Sequence, residues 1–210
     1  MLHMKAETAA QEPKKLTTKG QATRTRILEH AAELIHTQGV AATNNEQLRR
    51  VAEVSGSQLN HYFPTKESLV RAAIEWQAER VMGFYGGKQF AGFDNIDALR
   101  AWVDYYVGHE SAYRDGCTLG SLASQIIKSD LDVQEDLARA FTDWRNIFRD
   151  GLQRMQDLGR INADANPTEL ADLLLSAFQG GMLLTQIQRD VTPLKNALTA
   201  AIDHVQTFAT

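Results

Sequence analysis

One cysteine, Cys117, stands in a chain of 210 residues. That excludes an internal disulfide and a cysteine-rich metal site. No run of 18 apolar residues occurs, so no membrane-crossing helix and no membrane partner are expected. The opening stretch, MLHMKAETAAQEPKKLTTKGQ, lacks the apolar segment of a secretory signal, and a cytoplasmic location follows most simply. Strand-like alternation and internal repeats are both missing. None of the histidines at 3, 30, 36, 61, 109 and 204 is paired at a ligand spacing with another histidine or with Cys117, so no metal is expected. There is no nucleophile–base pair and no phosphate-cradling loop. An enzyme is therefore not expected, and neither is a cofactor.

What is present is an apolar content of 43%, enough for a real core, and helical periodicity almost throughout. The net charge is −4, which at first sight argues against nucleic acid as a partner. The distribution reverses that impression. Residues 1–82 hold 11 Lys and Arg against 9 Asp and Glu, whereas residues 83–210 hold 11 against 17. Lys14, Lys15, Lys19, Arg24 and Arg26 stand close together near the start. They form either a phosphate-contacting arm or a merely solvated tail.

Residues 43–69 carry the sharpest signal. Thr43 followed by Glu46 reads as a capping box, and Ser55 followed by Gln58 reads as a second one. Leu48, Val51 and Ala52 are spaced for one buried face, and Val54 and Leu59 can close the angle to the next helix. The spacing predicts helices over about 44–52 and 56–62, a helix-turn-helix whose second helix enters the major groove of DNA. Ser55, Gln58, Asn60, His61 and Tyr62 lie on that short helix or at its edges. Gln and Asn suit adenine edges, since each can donate and accept side by side. An ordinary polar surface helix is the alternative. Thr43 and Lys66 begin helices, where phosphate oxygens are favoured; for Thr43 the cap role competes.

This stretch resembles the DNA-binding domain of TetR-family transcriptional regulators, through Thr43, Val54-Ser55, His61-Tyr62-Phe63 and Lys66-Glu67. Residues 23–40, ended by Gly39, are similar to that family's first helix. The resemblance departs at Glu53, where the family commonly has Gly, at Asn45 and at Arg49, which is left to face a phosphate. It implies an all-α, TetR-like fold: an N-terminal three-helix helix-turn-helix domain plus a C-terminal helical ligand-binding and dimerisation domain. It also implies phosphate contacts from His61 and Tyr62.

Pro64-Thr65 opens a connecting helix running towards Phe84, and Gly86, Gly87 and Gly92 mark a break. The expected divisions are a flexible arm over 1–16, a DNA-binding domain over 17–84, and an effector and dimerisation domain over 93–210. Asp94 is expected to cap a helix over about 95–113, a short helix follows Gly116, and Asp132 with Glu135 begins a long one ended by Gly159. Asn166-Pro167 and Thr192-Pro193 open the last two. The expected total is nine helices. Gly180 and Gly181, inside an apolar run, suggest close approach of helices at a homodimer interface built from about 168–189 and 193–208; a role beside the pocket is the alternative.

Trp102, Tyr105, Tyr106, Cys117, Leu122, Phe141, Trp144, Phe148, Phe178 and Met182 form a candidate lining for an effector pocket. Singly, each is equally at home in a bundle core. Residues 116–123 and 179–184 are similar to the LmrA/YxaF branch of the family. That branch implies a repressor homodimer on a palindromic double-stranded DNA operator, released by a small apolar or aromatic effector such as a flavonoid or a drug-like compound. A regulator without an effector, or an activator, is the alternative.

Overall fold

The computed structural model describes residues 16–87 and 92–210. The basic residues Lys14 and Lys15, and nearly all of the predicted arm, lie outside them. Among the described residues the fold is all-helical apart from one isolated antiparallel bridge, Ile161 with Ala209. Ten helices follow in order: α1 Thr18–Gln38, α2 Asn45–Val51, α3 Gly56–Tyr62, α4 Lys66–Tyr85, α5 Ile96–Gly108, α6 Glu110–Tyr113, α7 Thr118–Ile126, α8 Gln134–Asp157, α9 Pro167–Gln188 and α10 Thr192–Gln206.

The tenth arises because the helix expected over 95–113 breaks at His109. Gly108 weakens the last turn of α5. The His109 ring stacks on Tyr105 at 4.5 Å, and its Nδ1 lies 2.7 Å from the Tyr105 carbonyl oxygen. A side-chain nitrogen thus sits against a carbonyl that a continuing helix would give to a backbone N–H.

Several caps fall elsewhere than the spacing suggests. Thr43 does not cap α2: its hydroxyl donates to the Gly39 carbonyl at 2.8 Å and it is 7% exposed. Asn44 is the cap, accepting from the Gln47 N–H at 2.9 Å. Asn95, not Asp94, caps α5. Asp132 does not cap α8, which starts from Val133 without a side-chain cap. The Ser55–Gln58 capping box, the Thr65 cap and the Asn166-Pro167 start all form. Val51 is more exposed than its spacing suggests, while Leu48 and Ala52 are fully buried.

Two hydrophobic clusters organise the packing. One sits in the N-terminal head, where Ile27, Leu28 and Ala31 of α1 meet Leu48, Leu59, Phe63 and Leu69. The other fills the body around Trp102, Trp144, Phe148 and Phe178. The connecting helix α4 serves both. Leu69 and Ala72 face the head core, whereas Val70, Ala73, Ile74 and Tyr85 join the body core with Ile35 of α1. Arg71 reinforces the joint, bonding the Asp136 carboxylate at 2.6 Å and the Asp132 carbonyl at 2.9 Å. The hydrogen bond and charge of Asp136 hold the Arg71 guanidinium above its usual pKa.

Helix α9 is long and apolar enough, by length and composition alone, to cross a membrane, as the core helix of a helical bundle can also be. Here Leu170, Ala171, Leu174, Phe178 and Met182 pack inward, while Leu173, Leu183, Leu184 and Ile187 form an exposed apolar stripe.

Candidate functional site

The head presents α3 outward. Leu59 anchors it with 1% exposure, and Ser55, Ser57, Gln58, Asn60 and His61 are exposed along its outer side. Gln58 is partly committed. Its Oε1 accepts from the Ser55 N–H at 2.9 Å, while Ser55 Oγ accepts from the Gln58 N–H at 3.1 Å. Only the amide N–H₂ of Gln58 is left to reach outward without breaking the cap. Asn60 carries no such engagement among the described residues, so both halves of its amide face solvent. The His61 ring meets Tyr62 edge-on at 5.0 Å. Tyr62 is half-buried, and its hydroxyl lies 3.3 Å from where a Cβ on Gly20 would stand. The far end of α3 therefore rests on the first turn of α1.

The basic side chains around α3 are positioned by the head. The Arg24 guanidinium lies over the Phe63 ring at 5.5 Å, an arrangement a ring face favours. Arg26 donates to the Ala52 carbonyl at 2.9 Å and ties α1 to the turn before α3. Arg49 reaches across to Gly56 at the start of α3. Lys66 reaches the Ala41 carbonyl at 3.4 Å and is otherwise exposed. Thr43, buried and turned inward, is not on this surface.

The body holds a cavity of about 490 Å³. Of the predicted lining, Tyr105, Tyr106, Cys117, Trp144, Phe178 and Met182 surround it. The other four do not. Trp102 and Phe148, both 0% exposed, are core, with rings 4.9 Å apart. Phe141 packs against the same core. Leu122 borders a void too small for a ligand, about 10 Å³. The sequence reading missed the head's share of the wall: His36 from α1, and Gln77, Arg80, Val81, Phe84 and Tyr85 from α4. The Phe84-Tyr85 pair beside Gly86 was the available signal.

The wall is aromatic with hydrogen-bonding edges. The Tyr85 and Tyr106 hydroxyls are 3.3 Å apart, Trp102 Nε1 donates to Tyr85 Oη at 3.3 Å, and Thr118 Oγ1 donates to Gln77 Oε1 at 3.1 Å. Burial pushes both tyrosines well above the usual phenol range, so they stay neutral. Burial also raises the Cys117 thiol, against the smaller effect of the Gln179 contact at 3.5 Å. Cys117 has a second task unforeseen from the sequence: its sulfur accepts the Gly120 N–H at 3.2 Å and caps α7.

A small head exposing a polar helix, joined through one long helix to a helical body with an aromatic cavity, defines a helix-turn-helix regulator. Comparison with known proteins agrees. Residues 27–73 match the profile of bacterial regulatory proteins of the tetR family, and residues 96–200 match the C-terminal domain of LmrA/YxaF-like transcriptional regulators. The chain belongs to the TetR family of transcriptional regulators, in its LmrA/YxaF-like branch. It is similar to the HTH-type transcriptional repressor DhaR of Mycobacterium sp. strain GP1, 22% identical over 181 residues covering 86% of this chain and 90% of that protein. It is also similar to the uncharacterized HTH-type transcriptional regulator YxaF of Bacillus subtilis strain 168, 25% identical over 184 residues, 85% of this chain and 92% of the relative. In structure it resembles a TetR-family regulator from Cytophaga hutchinsonii, with a TM-score of 0.82 at 17% identity over 93% of this chain and 99% of that one.

Proposed function

We propose that the chain is a repressor that binds a palindromic operator as a homodimer and releases it when a small, mostly apolar aromatic compound enters the body cavity. The observation that carries the reading is the make-up of the 490 Å³ cavity, which is walled by α1 and α4 of the head as well as by the body. A molecule there touches both parts at once, and a ligand that fits one relative placement better than another shifts the population towards it. The name of DhaR as a repressor supports the sign of regulation.

Asn60 reads a base edge in this proposal, Gln58 assists through its N–H₂, and Ser55, His61, Tyr62, Arg24 and Lys66 position the backbone. The exposed stripe Leu173, Leu183, Leu184 and Ile187 on α9 meets its counterpart in a second copy, together with α10. The family's dimeric habit supports that choice of partner. Selection of bound duplexes from a random pool should return an inverted repeat, and aromatic compounds titrated against the complex should release it. Recovery of sites without two-fold symmetry would count against the dimeric reading, and failure of every aromatic compound to release DNA would count against the effector.

A further inference from the structure

Arg49 is exposed in the last turn of α2, and its guanidinium makes no hydrogen bond and no ion pair among the described residues. Other basic side chains of the head are engaged: Arg26 on the Ala52 carbonyl, Arg24 over the Phe63 ring, Lys66 towards Ala41. Arg49 instead lies across the start of α3. Its Cζ and Nη1 are 3.6 Å, and its Nε 3.7 Å, from where a Cβ on Gly56 would stand. Three atoms of one plane at nearly equal distance put the flat face of the guanidinium over that point and leave its N–H edges free. Gly56 is the first residue of α3 and brings no side chain of its own. The Arg49 fork thus fills the place that a side chain at 56 would take. Its root is fixed too, since the Arg49 carbonyl accepts the Val54 N–H at 3.1 Å. In a helix-turn-helix the N-terminal part of the second helix meets base edges, while the first helix crosses the backbone. A guanidinium offers paired N–H donors that match O6 and N7 of guanine, the commonest base-specific contact. Asn60 lies one turn further on, on the same face of α3, so the two side chains reach neighbouring base pairs of one groove.

We infer that Arg49 reads a guanine in each half of the operator, serving from α2 as the base-reading side chain that Gly56 lacks. The inference rests on the proposed reading role of α3 and adds to it a second residue and the base it selects. A phosphate contact from the same guanidinium would be blind to sequence, which separates the two roles.

The test starts from duplexes that the full wild-type chain selects from a random pool. Each position of the selected site is then changed to the other three base pairs, and binding is measured at several salt concentrations for wild type, Arg49→Ala and Arg49→Lys. Wild type should lose roughly 5- to 150-fold in affinity when one G·C pair, repeated in each half-site, is replaced. In Arg49→Ala that ratio should fall to near unity, while the preferences at other positions persist and report that the variant is folded. Arg49→Lys should behave like Arg49→Ala at that pair yet keep the wild-type salt slope, because the charge stays and the planar fork is lost. Uniform weakening of all duplexes by Arg49→Ala, with a salt slope lower by about one, makes Arg49 a phosphate contact and overturns the inference. So does a guanine preference that survives Arg49→Ala, or a wild-type site without one. If selection returns no preferred sequence, the reading role of α3 fails and the inference falls with it.

Discussion

Glu53 holds a left-handed backbone, φ 51°, in the turn between the two helices of the reading head. The Val54 N–H reaches back to the Arg49 carbonyl at 3.1 Å, as in a Schellman ending of α2. The same ending closes α8, with Gly159 at φ 65° and the Arg160 N–H on Met155 at 2.8 Å. Glycine adopts this conformation freely, whereas a Cβ there costs about 1–2 kcal/mol. Glu53→Gly should therefore stabilise the head by about 0.5–1 kcal/mol after the larger chain entropy of glycine is subtracted. Thermal unfolding should show a rise of about 1–3 °C, and a fall would place the strain elsewhere. The Ser55–Gln58 box was legible because both partners of a capping box stand three apart in the sequence. Thr43 with Glu46 has the same spacing, yet Asn44 next door is an equally good cap and Thr43 turns to Gly39. Spacing does not arbitrate between adjacent caps; the path of the loop does. Asn60, free of internal bonds, should be the strongest reader. Asn60→Ala should cost about 1–3 kcal/mol at one base pair and relax preference there, whereas Gln58→Ala should lose about 1 kcal/mol of fold stability through its cap as well. Mobility shifts on single-site operator variants, paired with melting curves, separate the two effects. Equal operator profiles for wild type and Asn60→Ala would remove Asn60 from the reading set.

Among the elements, the glycine pair of α9 divides its labour. A Cβ on Gly181 would stand 2.8 Å from the Leu194 Cα, whereas Gly180 has nothing within 4 Å. The close approach read from the sequence is real, but it lies between α9 and α10 of one chain. Only Gly180 faces outward, beside Leu183. Periodicity could not tell the two apart, because neighbouring positions on a helix differ by about 100° and the pattern names no partner. Gly181→Ala should cost about 1–3 kcal/mol of stability through overpacking, visible as a lower denaturant midpoint. Gly180→Glu should leave the fold intact and weaken the homodimer, read by sedimentation. A dimeric Gly180→Glu variant would move the interface away from this stripe. The helix order, by contrast, was legible almost throughout, since Pro and Gly punctuate most of the boundaries and the apolar spacing between them is helical. The cavity was only half legible. Aromatic residues of α5, α8 and α9 were found by composition, but which ring lines a void and which fills the core depends on packing geometry that no spacing encodes: Trp144 lines, Trp102 fills.

For the whole molecule, the proposed function asks how an occupied cavity would reach the DNA-reading head. Helix α7 spans the gap. Cys117 and Thr118 at its start line the cavity, and Gln125 near its end accepts the Val40 N–H at 2.5 Å in the loop after α1. Nine helical residues make a rigid rod of about 12 Å, so a shift at the cavity end is transmitted rather than absorbed. The second joint is Arg71 on Asp136 and the Asp132 carbonyl. Release requires that the effector prefer the placement of head and body that DNA does not; equal affinity for both would shift nothing. Operator DNA must then lower effector affinity by the same factor that effector lowers operator affinity. Gln125→Ala removes one joint without touching the cavity wall or α3. It should leave effector affinity of the DNA-free protein and operator affinity of the effector-free protein within about twofold of wild type, and reduce the coupling factor from a typical range of about 5–150 towards unity. The measurement is a full cycle: operator dissociation constants with and without a saturating aromatic compound that releases the operator, and constants for that compound with and without operator, for both proteins. A coupling factor unchanged by Gln125→Ala, with both arms of the cycle closed, would transfer the signal to α4 and its Arg71 joint alone.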